Sequence, residues 1–180
     1  QPGAPTNRLD DSLSVIDRVL GAVRQLSLDL RPSMLDDLGL ASAVRWYVDA
    51  QAQRAGLAAS VTVDGLDREP SPDVAITCFR VVQEAVTNVV RHARARRVVV
   101  ELHERNGALE LVVRDDGVGF DVAAARGRAA RGESLGLLGL EERVDLAGGR
   151  VTMGSSSSGT EIRATFPVAG RPTASEAAHP

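Results

Sequence analysis

Two segments in the middle of the chain form the pattern that most limits its possible folds. Residues 96–105 (RRVVVELHER) and 108–117 (ALELVVRDDG) are rich in Val and Leu, and Asn106-Gly107 separates the two segments. Such segments are typical of strands, and Asn-Gly between them is a strong signal for a tight hairpin turn. The chain is therefore predicted to contain an antiparallel strand pair.

Three helices are predicted before this hairpin. Steps of three and four between apolar residues predict a helix over Leu9–Leu30, with a stripe as narrow as a two-helix or four-helix seam. A second helix is expected from Leu40 to Gly56, and the alternating residues 59–65 predict a strand after it. The third helix is expected to begin near Ser71 or Asp73, either of which suits an N-cap, and to run to about Ala95.

Less regular sequence follows the hairpin. Residues 117–134 are rich in Gly, Ala and Arg without clear periodicity, and we expect a mobile loop there. A short helix with a Gly-Gly stop and a final strand pair around the sequence SSSSG are predicted next. From Ala169 onward the polar, proline-containing sequence predicts a disordered tail.

The third helix carries an unusual set of polar residues on one side. At about 100° per residue, Glu84, Asn88, Arg91 and His92 fall within one face, whereas apolar residues from Ala75 to Ala93 occupy the opposite face. A solvated outer face with mixed charges is the simplest reading of such a pattern. The glycine patterns downstream favour a functional one.

Two glycine patterns follow the hairpin. Asp115 ends an apolar strand before Gly117 and Gly119, whose spacing allows a tight turn and close approach of a ligand to the backbone. Gly136 and Gly139 open the next predicted helix, where exposed N–H groups and the helix dipole favour phosphate. Each pattern alone also fits an ordinary strand exit or hinge. Their order after the polar helix face makes a nucleotide pocket the better interpretation, with Asp115 accepting from a purine amino group.

Composition limits the classes of function. The 180 residues are 43% hydrophobic and 25% charged, as in a globular chain, and the net charge of −3 favours neither nucleic acid nor an anionic membrane. The single cysteine, Cys78, lies in an apolar run and is expected to be a buried thiol, which suits a reducing cytoplasm. No apolar run approaches the roughly 18 residues that span a bilayer. Since the chain begins at Gln1, we expect a piece of a longer protein, which could carry a membrane anchor elsewhere.

The polar helix face and the two glycine patterns, in this order, resemble the Bergerat-type ATP-binding fold of gyrase, Hsp90, histidine kinases and MutL. The likeness is greatest to the catalytic domain of two-component sensor histidine kinases, in the subclass whose regulators carry a helix-turn-helix output domain. FRVVQEAVTNVVRHARARRVVVEL resembles the N box, VRDDGVGFD the first glycine box, and the sequence from Ser134 to Val168 the second glycine box and closing strands. LSLDLRPSMLDDLGLASAVRWYV resembles the junction with the dimerisation part.

The resemblance implies an α+β fold, a two-layer α/β sandwich with a mixed sheet and helices on one face, preceded by one dimerisation-type helix. Residues 1–31 would be the second helix of the dimerisation region, residues 32–168 the catalytic ATP-binding domain, and residues 169–180 the tail. It also implies ATP and Mg²⁺ as ligands. The implied site residues are Glu84 to orient the nucleophile or water, Asn88 to bind Mg²⁺, Arg91 near the phosphates, His92 by the nucleoside, Asp115 at the adenine amino group, Gly117 and Gly119 on the adenine side, Gly136, Leu137 and Gly139 on the phosphate side, and Thr160 near an adenine-binding water. Residues 120–135 would form the ATP lid.

The implied activity is transfer of the ATP γ-phosphoryl group to a histidine of the dimerisation domain, for relay to an aspartate of a response regulator. The only histidines are His92, His103 and His179, and none lies in the Leu9–Leu30 helix. We therefore expect this chain to bind ATP without phosphorylating itself on the usual residue. Expected partners are the cognate regulator and a second copy of the chain, without nucleic acid, and a membrane only through parts outside it.

Three alternatives remain at this point. A degenerate pseudokinase would act as a scaffold, although Asn88, Asp115 and the glycines are all present. An anti-sigma-factor-type serine kinase shares the pocket, but the junction sequence favours the histidine kinases. A plain helical interaction module leaves the Asp and Gly motifs unexplained.

Overall fold

A five-stranded mixed sheet is the centre of the computed structural model, which describes residues 33–130 and 136–168. The strand order is β1-β2-β3-β5-β4; β1 and β2 are parallel, and every other neighbouring pair is antiparallel. The elements in chain order are α1 (Ser33–Ala55), β1 (Ala58–Asp64), α2 (Pro72–Asn88), a π-helical turn (Val89–Ala93), β2 (Arg97–Arg105), β3 (Ala108–Asp115), α3 (Val122–Ala130), α4 (Gly136–Leu146), β4 (Arg150–Ser156) and β5 (Gly159–Pro167). This is the predicted α+β architecture.

The chain divides into one unit up to Asp37 and another from Leu38, and the sheet belongs to the second. Its core lies between the helices and one face of the sheet, where Val98, Val100 and Leu102 of β2 are fully buried. Tyr47 of α1 and Phe79 of α2 meet edge to face, with ring centroids 5.7 Å apart. Burial of side chains of this size stabilises the fold by about 1.5–3 kcal/mol each.

The other sheet face carries ion pairs between charged side chains of β2, β3 and β5. Arg114 of β3 bonds both Glu101 of β2, at 2.7 Å, and Glu161 of β5, at 2.5 Å. Arg163 of β5 extends the row by bonding Glu161 and Glu110. Val112 is opposite Glu101 and Arg163 in the strand ladder and is only 2% exposed. The charged residues of β2, β3 and β5 therefore share one sheet face, and the core residues of β2 lie on the other.

Turn and cap predictions around the hairpin and α2 are confirmed. Asn106 and Gly107 both have positive φ, 54° and 75°, as a two-residue hairpin turn requires. Ser71 caps α2 by accepting a hydrogen bond from the Val74 N–H at 3.4 Å. Cys78 is fully buried, and burial raises the pKa of its thiol, which keeps it protonated.

α1 confirms the predicted start at Leu40 and adds a short helical segment before it. The added segment begins at Ser33, and Gly39 separates the two segments with φ 77° and ψ 170°. Beyond this break the Glu69 carboxylate accepts from the Leu40 N–H at 3.0 Å and so caps the longer helical segment. A Cβ atom at position 39 would overlap that carboxylate, so glycine suits the cap sterically as well as conformationally.

The third helix ends close to its predicted end near Ala95, but its last turn is not α-helical. α2 ends at Asn88, and the five residues Val89–Ala93 continue it as a π-helical turn. Arg94 stops the turn with φ 52° in the left-handed region. Relative to an α-helix, the extra residue in this turn changes the direction of the side chains that follow it.

The predicted loop at 117–134 contains a helix, α3, over Val122–Ala130. Alanine and arginine favour helix, and the Asp121 carboxylate accepts from the Ala124 N–H at 2.9 Å at its start. The predicted Leu9–Leu30 helix, the tail from Ala169 and residues 131–135 of the predicted lid lie outside the described residues. Among the helices described, none has the length and apolar character needed to cross a membrane.

Candidate functional site

A cavity of about 410 Å³ lies between the C-terminal part of α2 and the ends of β3, β4 and β5. Its volume is within the range of small-ligand sites. Six predicted site residues line it: Glu84, Asn88, His92, Asp115, Gly119 and Thr160. The remaining lining residues are apolar, namely Ala85, Val89, Ala93, Val113, Phe120, Ala125, Met153 and Ile162. The cavity thus combines a mainly apolar wall with a few polar groups, the usual make-up of a ligand pocket.

Three polar residues spaced four apart line the helix side of the cavity. Glu84, Asn88 and His92 all line it. The Asn88 side-chain amide donates to the Glu84 carboxylate at 3.1 Å. This bond uses the amide nitrogen and leaves Asn88 Oδ1 as the oxygen that can bind a ligand.

The π-helical turn brings apolar residues into the same wall. Val89 and Ala93 were expected on the sheet-facing side of an unbroken helix, yet both line the cavity. The Ala93 carbonyl accepts from the Val118 N–H at 2.9 Å, so the end of the turn is joined to the loop after β3. The turn therefore positions that loop against the helix.

On the sheet side of the cavity, Asp115 at the end of β3 is part of the lining. Its carboxylate is half-buried and accepts from the Gly117 N–H at 2.7 Å and from the Thr160 N–H. Burial has the largest effect and raises the pKa of this carboxyl above its ordinary value. The two N–H donors lower the pKa and the charge of the neighbouring Asp116 raises it, and each of these effects is weaker than burial. A desolvated acceptor in a mostly apolar pocket is suited to a donor group of a ligand.

Asp116, which the sequence reasoning did not single out, fixes the loop from the other side. Its Oδ1 accepts from the Arg96 and Arg97 N–H groups, both at 2.8 Å, at the start of β2. These bonds lower the pKa of the exposed Asp116 carboxyl. The two adjacent aspartates thus have different tasks: Asp115 faces the cavity and Asp116 anchors the loop.

Glycine is required at two loop positions for steric reasons. At Gly117 a Cβ atom would overlap the Ala93 carbonyl and lie 2.7 Å from the Asp115 carboxylate. At Gly119, where φ is 64°, a Cβ would overlap the Ser156 carbonyl. Gly117 therefore permits the contact with the π-helical turn, and Gly119 permits the contact with β4.

Ser155 is a second residue that sequence reasoning missed. Its hydroxyl lies 3.0 Å from Thr160 Oγ1 and accepts from the Phe120 N–H at 2.9 Å. The run of four serines carried no signal for this, because only the register of β4 and β5 shows which serine pairs with Thr160.

Three predicted residues, Gly117, Arg91 and Gly139, are not among the described residues that line the cavity. Gly117 lies behind the lining, against Ala93. Arg91 is exposed on the π-helical turn. Gly136, Leu137 and Gly139 lie in the first turn of α4, and their roles stay predictions.

Comparison with known proteins identifies the class of domain. The sequence model described as "Histidine kinase-, DNA gyrase B-, and HSP90-like ATPase" matches residues 73–170, more than half of the chain. The chain belongs to this family, and the matched region is its ATPase domain as found in histidine kinases. The matched residues include nearly all of α2, every described residue that lines the cavity, and the strands β4 and β5.

Individual relatives agree with this assignment. An uncharacterised sensor-like histidine kinase of Chloroflexus aurantiacus is 36% identical over 93% of the chain, which covers 29% of that protein. Sensor histidine kinase MctS of Rhizobium johnstonii is 36% identical over 88% of the chain, which covers 36% of that protein. The chain therefore spans about a third of the length of these relatives.

A solved structure shows the same fold. The histidine kinase domain of a blue-light-activated histidine kinase, EL346 of Erythrobacter litoralis, aligns with a TM-score of 0.57 at 23% identity. The alignment covers 72% of this chain and 65% of that one. The predicted Bergerat-type architecture is thereby confirmed.

Proposed function

We propose that the cavity binds ATP with Mg²⁺ and that Asp115 accepts a hydrogen bond from the adenine amino group. The observation that carries this proposal is the position of a half-buried carboxylate across a largely apolar cavity from Asn88 and Glu84. The apolar wall suits a base, and the polar helix face suits the charged end of the nucleotide. His92 would lie by the nucleoside, and the exposed Arg91 would approach the phosphates.

The donor set fits a magnesium ion that is shared with phosphates. Mg²⁺ prefers oxygen ligands, keeps several waters and is commonly held by one or two protein oxygens together with substrate phosphates. Asn88 offers Oδ1, because its nitrogen is engaged by Glu84. Among the described residues there is no cluster of three or more His, Cys, Asp or Glu that could hold an ion alone. When bound, the ion would neutralise phosphate charge, and Asn88 would be its protein ligand.

Glu84 is proposed to orient the attacking nucleophile or water. It lines the cavity one helical turn before Asn88, and their bond holds both side chains in place. In phosphoryl transfer most of the rate enhancement comes from positioning and from charge stabilisation. The glycines at the start of α4 would face the phosphates, and the segment 120–135 would close over them.

For the whole protein we propose a sensor histidine kinase that acts as a dimer in the cytoplasm. It would transfer the γ-phosphoryl group to a histidine on its dimerisation helices and then to an aspartate of a response regulator. The names of the relatives and the family of the ATPase domain support this proposal. Any membrane anchor would lie in parts beyond this chain.

Calorimetric titration of ATP with Mg²⁺ tests the binding proposal. The parent chain is expected to bind saturably, and Asp115→Asn is expected to weaken binding by about tenfold or more, since a buried acceptor is worth roughly 1–3 kcal/mol. Asn88→Asp is expected to weaken magnesium-dependent binding, because it puts a second carboxylate beside Glu84. Asp49→Asn, an exposed position on α1, removes the same charge as a control. A folded parent that binds no ATP would favour a degenerate scaffold instead.

A further inference from the structure

Tyr47 is a buried tyrosine of α1 whose side chain lies along two turns of α2. It is 2% exposed, and its ring packs edge to face on Phe79 with the ring centroids 5.7 Å apart. Its hydroxyl lies 3.5 Å from the Gln83 carbonyl oxygen and 3.3 Å from Thr87 Oγ1. Because Phe79, Gln83 and Thr87 are spaced four apart, these contacts follow one ridge of the helix.

The hydroxyl adds a direction to a contact that packing alone would make. A phenyl ring would fill the same space, whereas a buried tyrosine hydroxyl needs a hydrogen-bond partner. Gln83 and Thr87 both belong to α2. Their two bonds to the hydroxyl are possible at once, because Thr87 can donate to Tyr47 while Tyr47 donates to the Gln83 carbonyl. Rotation of α2 about its axis would lengthen these bonds, so the hydroxyl favours one angle of the helix.

This ridge of α2 lies beside the residues of the candidate site. Gln83 is followed directly by Glu84 in the chain. Thr87 is followed directly by Asn88, and both of these following residues line the cavity. Tyr47 is not among the described residues that line the cavity, so its effect on a ligand passes through α2. A side-chain atom about 6 Å from the helix axis moves by ~1 Å when the turn rotates by ~10°. A displacement of this size at a reacting centre can cost about 10²-fold in rate.

We infer that Tyr47 is a positioning residue for the magnesium side of the site, whose hydroxyl sets the angle of α2 at which Asn88 Oδ1 and the Glu84 carboxylate face a magnesium nucleotide. This inference rests on the proposed function. Loss of the hydroxyl alone would leave the ring on Phe79 and the sheet side of the cavity in place. The expected defect is therefore selective: ATP still binds, but Mg²⁺ strengthens its binding less.

Calorimetric titration of ATP, once with Mg²⁺ and once with EDTA instead, tests the inference on the parent chain and on Tyr47→Phe. The ratio of the two dissociation constants measures how much Mg²⁺ strengthens ATP binding. In Tyr47→Phe this ratio is expected to fall about three- to tenfold, as for the loss of one oriented hydrogen bond, while the affinity without Mg²⁺ stays within about twofold. An unchanged ratio, even with a lower overall affinity, overturns the inference.

A second readout needs no nucleotide. In ¹H–¹⁵N spectra of the free chain, the side-chain amide signal of Asn88 reports its bond to Glu84. Tyr47→Phe is expected to shift this signal, and an unshifted signal contradicts the inference. The matched control is Leu102→Val, a packing variant at a fully buried position of β2. It should lower Tm without shifting the Asn88 signal or changing the magnesium ratio, because it removes packing and no hydroxyl.

Two variants of Thr87 keep the test decisive if Tyr47→Phe does not fold. Thr87→Val has nearly the shape of the parent side chain without its hydroxyl, and Thr87→Ser keeps the hydroxyl. The valine variant is expected to show the reduced magnesium ratio and the serine variant the ratio of the parent. Equal ratios in the two variants contradict the inference.

Failure of the proposed function would look different from failure of this inference. A parent chain that binds no ATP, or binds it equally with and without Mg²⁺, rejects the proposed function and with it the role of Tyr47. A parent chain whose ATP binding is strengthened by Mg²⁺, with the same ratio in Tyr47→Phe, rejects only the role of Tyr47.

Discussion

The Asn88 side-chain nitrogen donates to Glu84 Oε1 across 3.1 Å on one face of α2, at the edge of the cavity. The bond fixes which atom each side chain presents. The Asn88 carbonyl oxygen and the second Glu84 oxygen are not used in this bond; in the proposed function the first would bind a hard cation and the second a nucleophile or water. Binding and catalysis would therefore depend on two neighbouring residues that can be changed separately.

Glu84→Gln should separate these two functions. Glutamine can still accept from Asn88, so the affinity for ATP is expected to stay within about threefold of the parent. Its amide has no capacity to take a proton, and removal of a positioned acid or base costs about 10²–10⁴-fold in rate. The measurement is autophosphorylation of the full-length protein from labelled ATP, alongside calorimetry on this chain.

The control for that variant is Glu142→Gln, an exposed carboxylate on α4 that does not line the cavity in the described part of the chain. It should leave both ATP affinity and the rate unchanged. A Glu84→Gln protein with full kinase activity would remove Glu84 from the mechanism.

Asp115 and Asp116 should respond to pH with opposite signs. The pKa of Asp115 is raised in the folded state, chiefly by burial, so this carboxyl lowers the free energy of unfolding as pH rises through its folded pKa. The pKa of Asp116 is lowered by the N–H donors of Arg97 and Arg96, so its stabilisation is present above the unfolded pKa, near 3.9, and is lost as pH falls through the folded value.

Denaturant unfolding of Asp115→Asn and Asp116→Asn at several pH values tests this. At pH 7 Asp115→Asn should be at least as stable as the parent although it binds ATP more weakly, and Asp116→Asn should be less stable. Both differences should shrink as pH falls below 4. In each case asparagine keeps an oxygen for the backbone N–H donors, so the charge is the main change. Differences of the same sign, or independent of pH, would contradict the assigned causes.

Local signals were sufficient for much of the fold. The Asn106-Gly107 turn, the Ser71 cap and the valine-rich segment of β2 each specify structure through a few adjacent residues. Glu84 and Asn88 could be placed together because the spacing of four holds along an α-helix, whereas His92 lines the cavity from the π-helical turn. The family resemblance then supplied their proposed roles.

The features that sequence reasoning missed depend on contacts between distant residues. The sequence of the π-helical turn looks like ordinary helix, and its end is held by the bond between the Ala93 carbonyl and the Val118 N–H. Ser155 stands out from its neighbouring serines only through pairing with Thr160. The helix α3 is a different case, since Asp121 before an alanine-rich segment was a readable cap signal.

Gly119→Ala should damage the site more than the same change at Gly107. Both positions have positive φ, 64° and 75°, so each substitution incurs about 1 kcal/mol or more of backbone strain. At Gly107 a Cβ meets nothing within 4 Å, whereas at Gly119 it overlaps the Ser156 carbonyl and crowds the Ser155 hydroxyl.

The comparison uses thermal unfolding and ATP titration of the two variants. Gly107→Ala should lower Tm by a few degrees and leave ATP affinity intact. Gly119→Ala should lower Tm further and weaken ATP binding by about tenfold or more, because the loop that carries Phe120 must move. Equal effects at both positions would show that the contact with β4 does not matter.

The ion pair between Arg126 and Glu141 should control the local order of α3. Nε and one terminal nitrogen of Arg126 both bond Glu141 Oε1, at 3.1 and 2.8 Å, and so connect α3 to α4. Ala125, the preceding residue, is buried and lines the cavity. Because the arginine and glutamate side chains are 53% and 32% exposed, the pair is worth at most about 1 kcal/mol. Arg126→Ala is therefore expected to change Tm little but to speed amide hydrogen exchange in residues 122–127 by about two- to fivefold.

Arg105→Ala removes a similarly exposed arginine, paired with Asp64 at 3.3 Å on the far sheet face, and should leave exchange in this segment unchanged. Unchanged exchange in Arg126→Ala would mean that packing around Ala125 holds α3 without the ion pair.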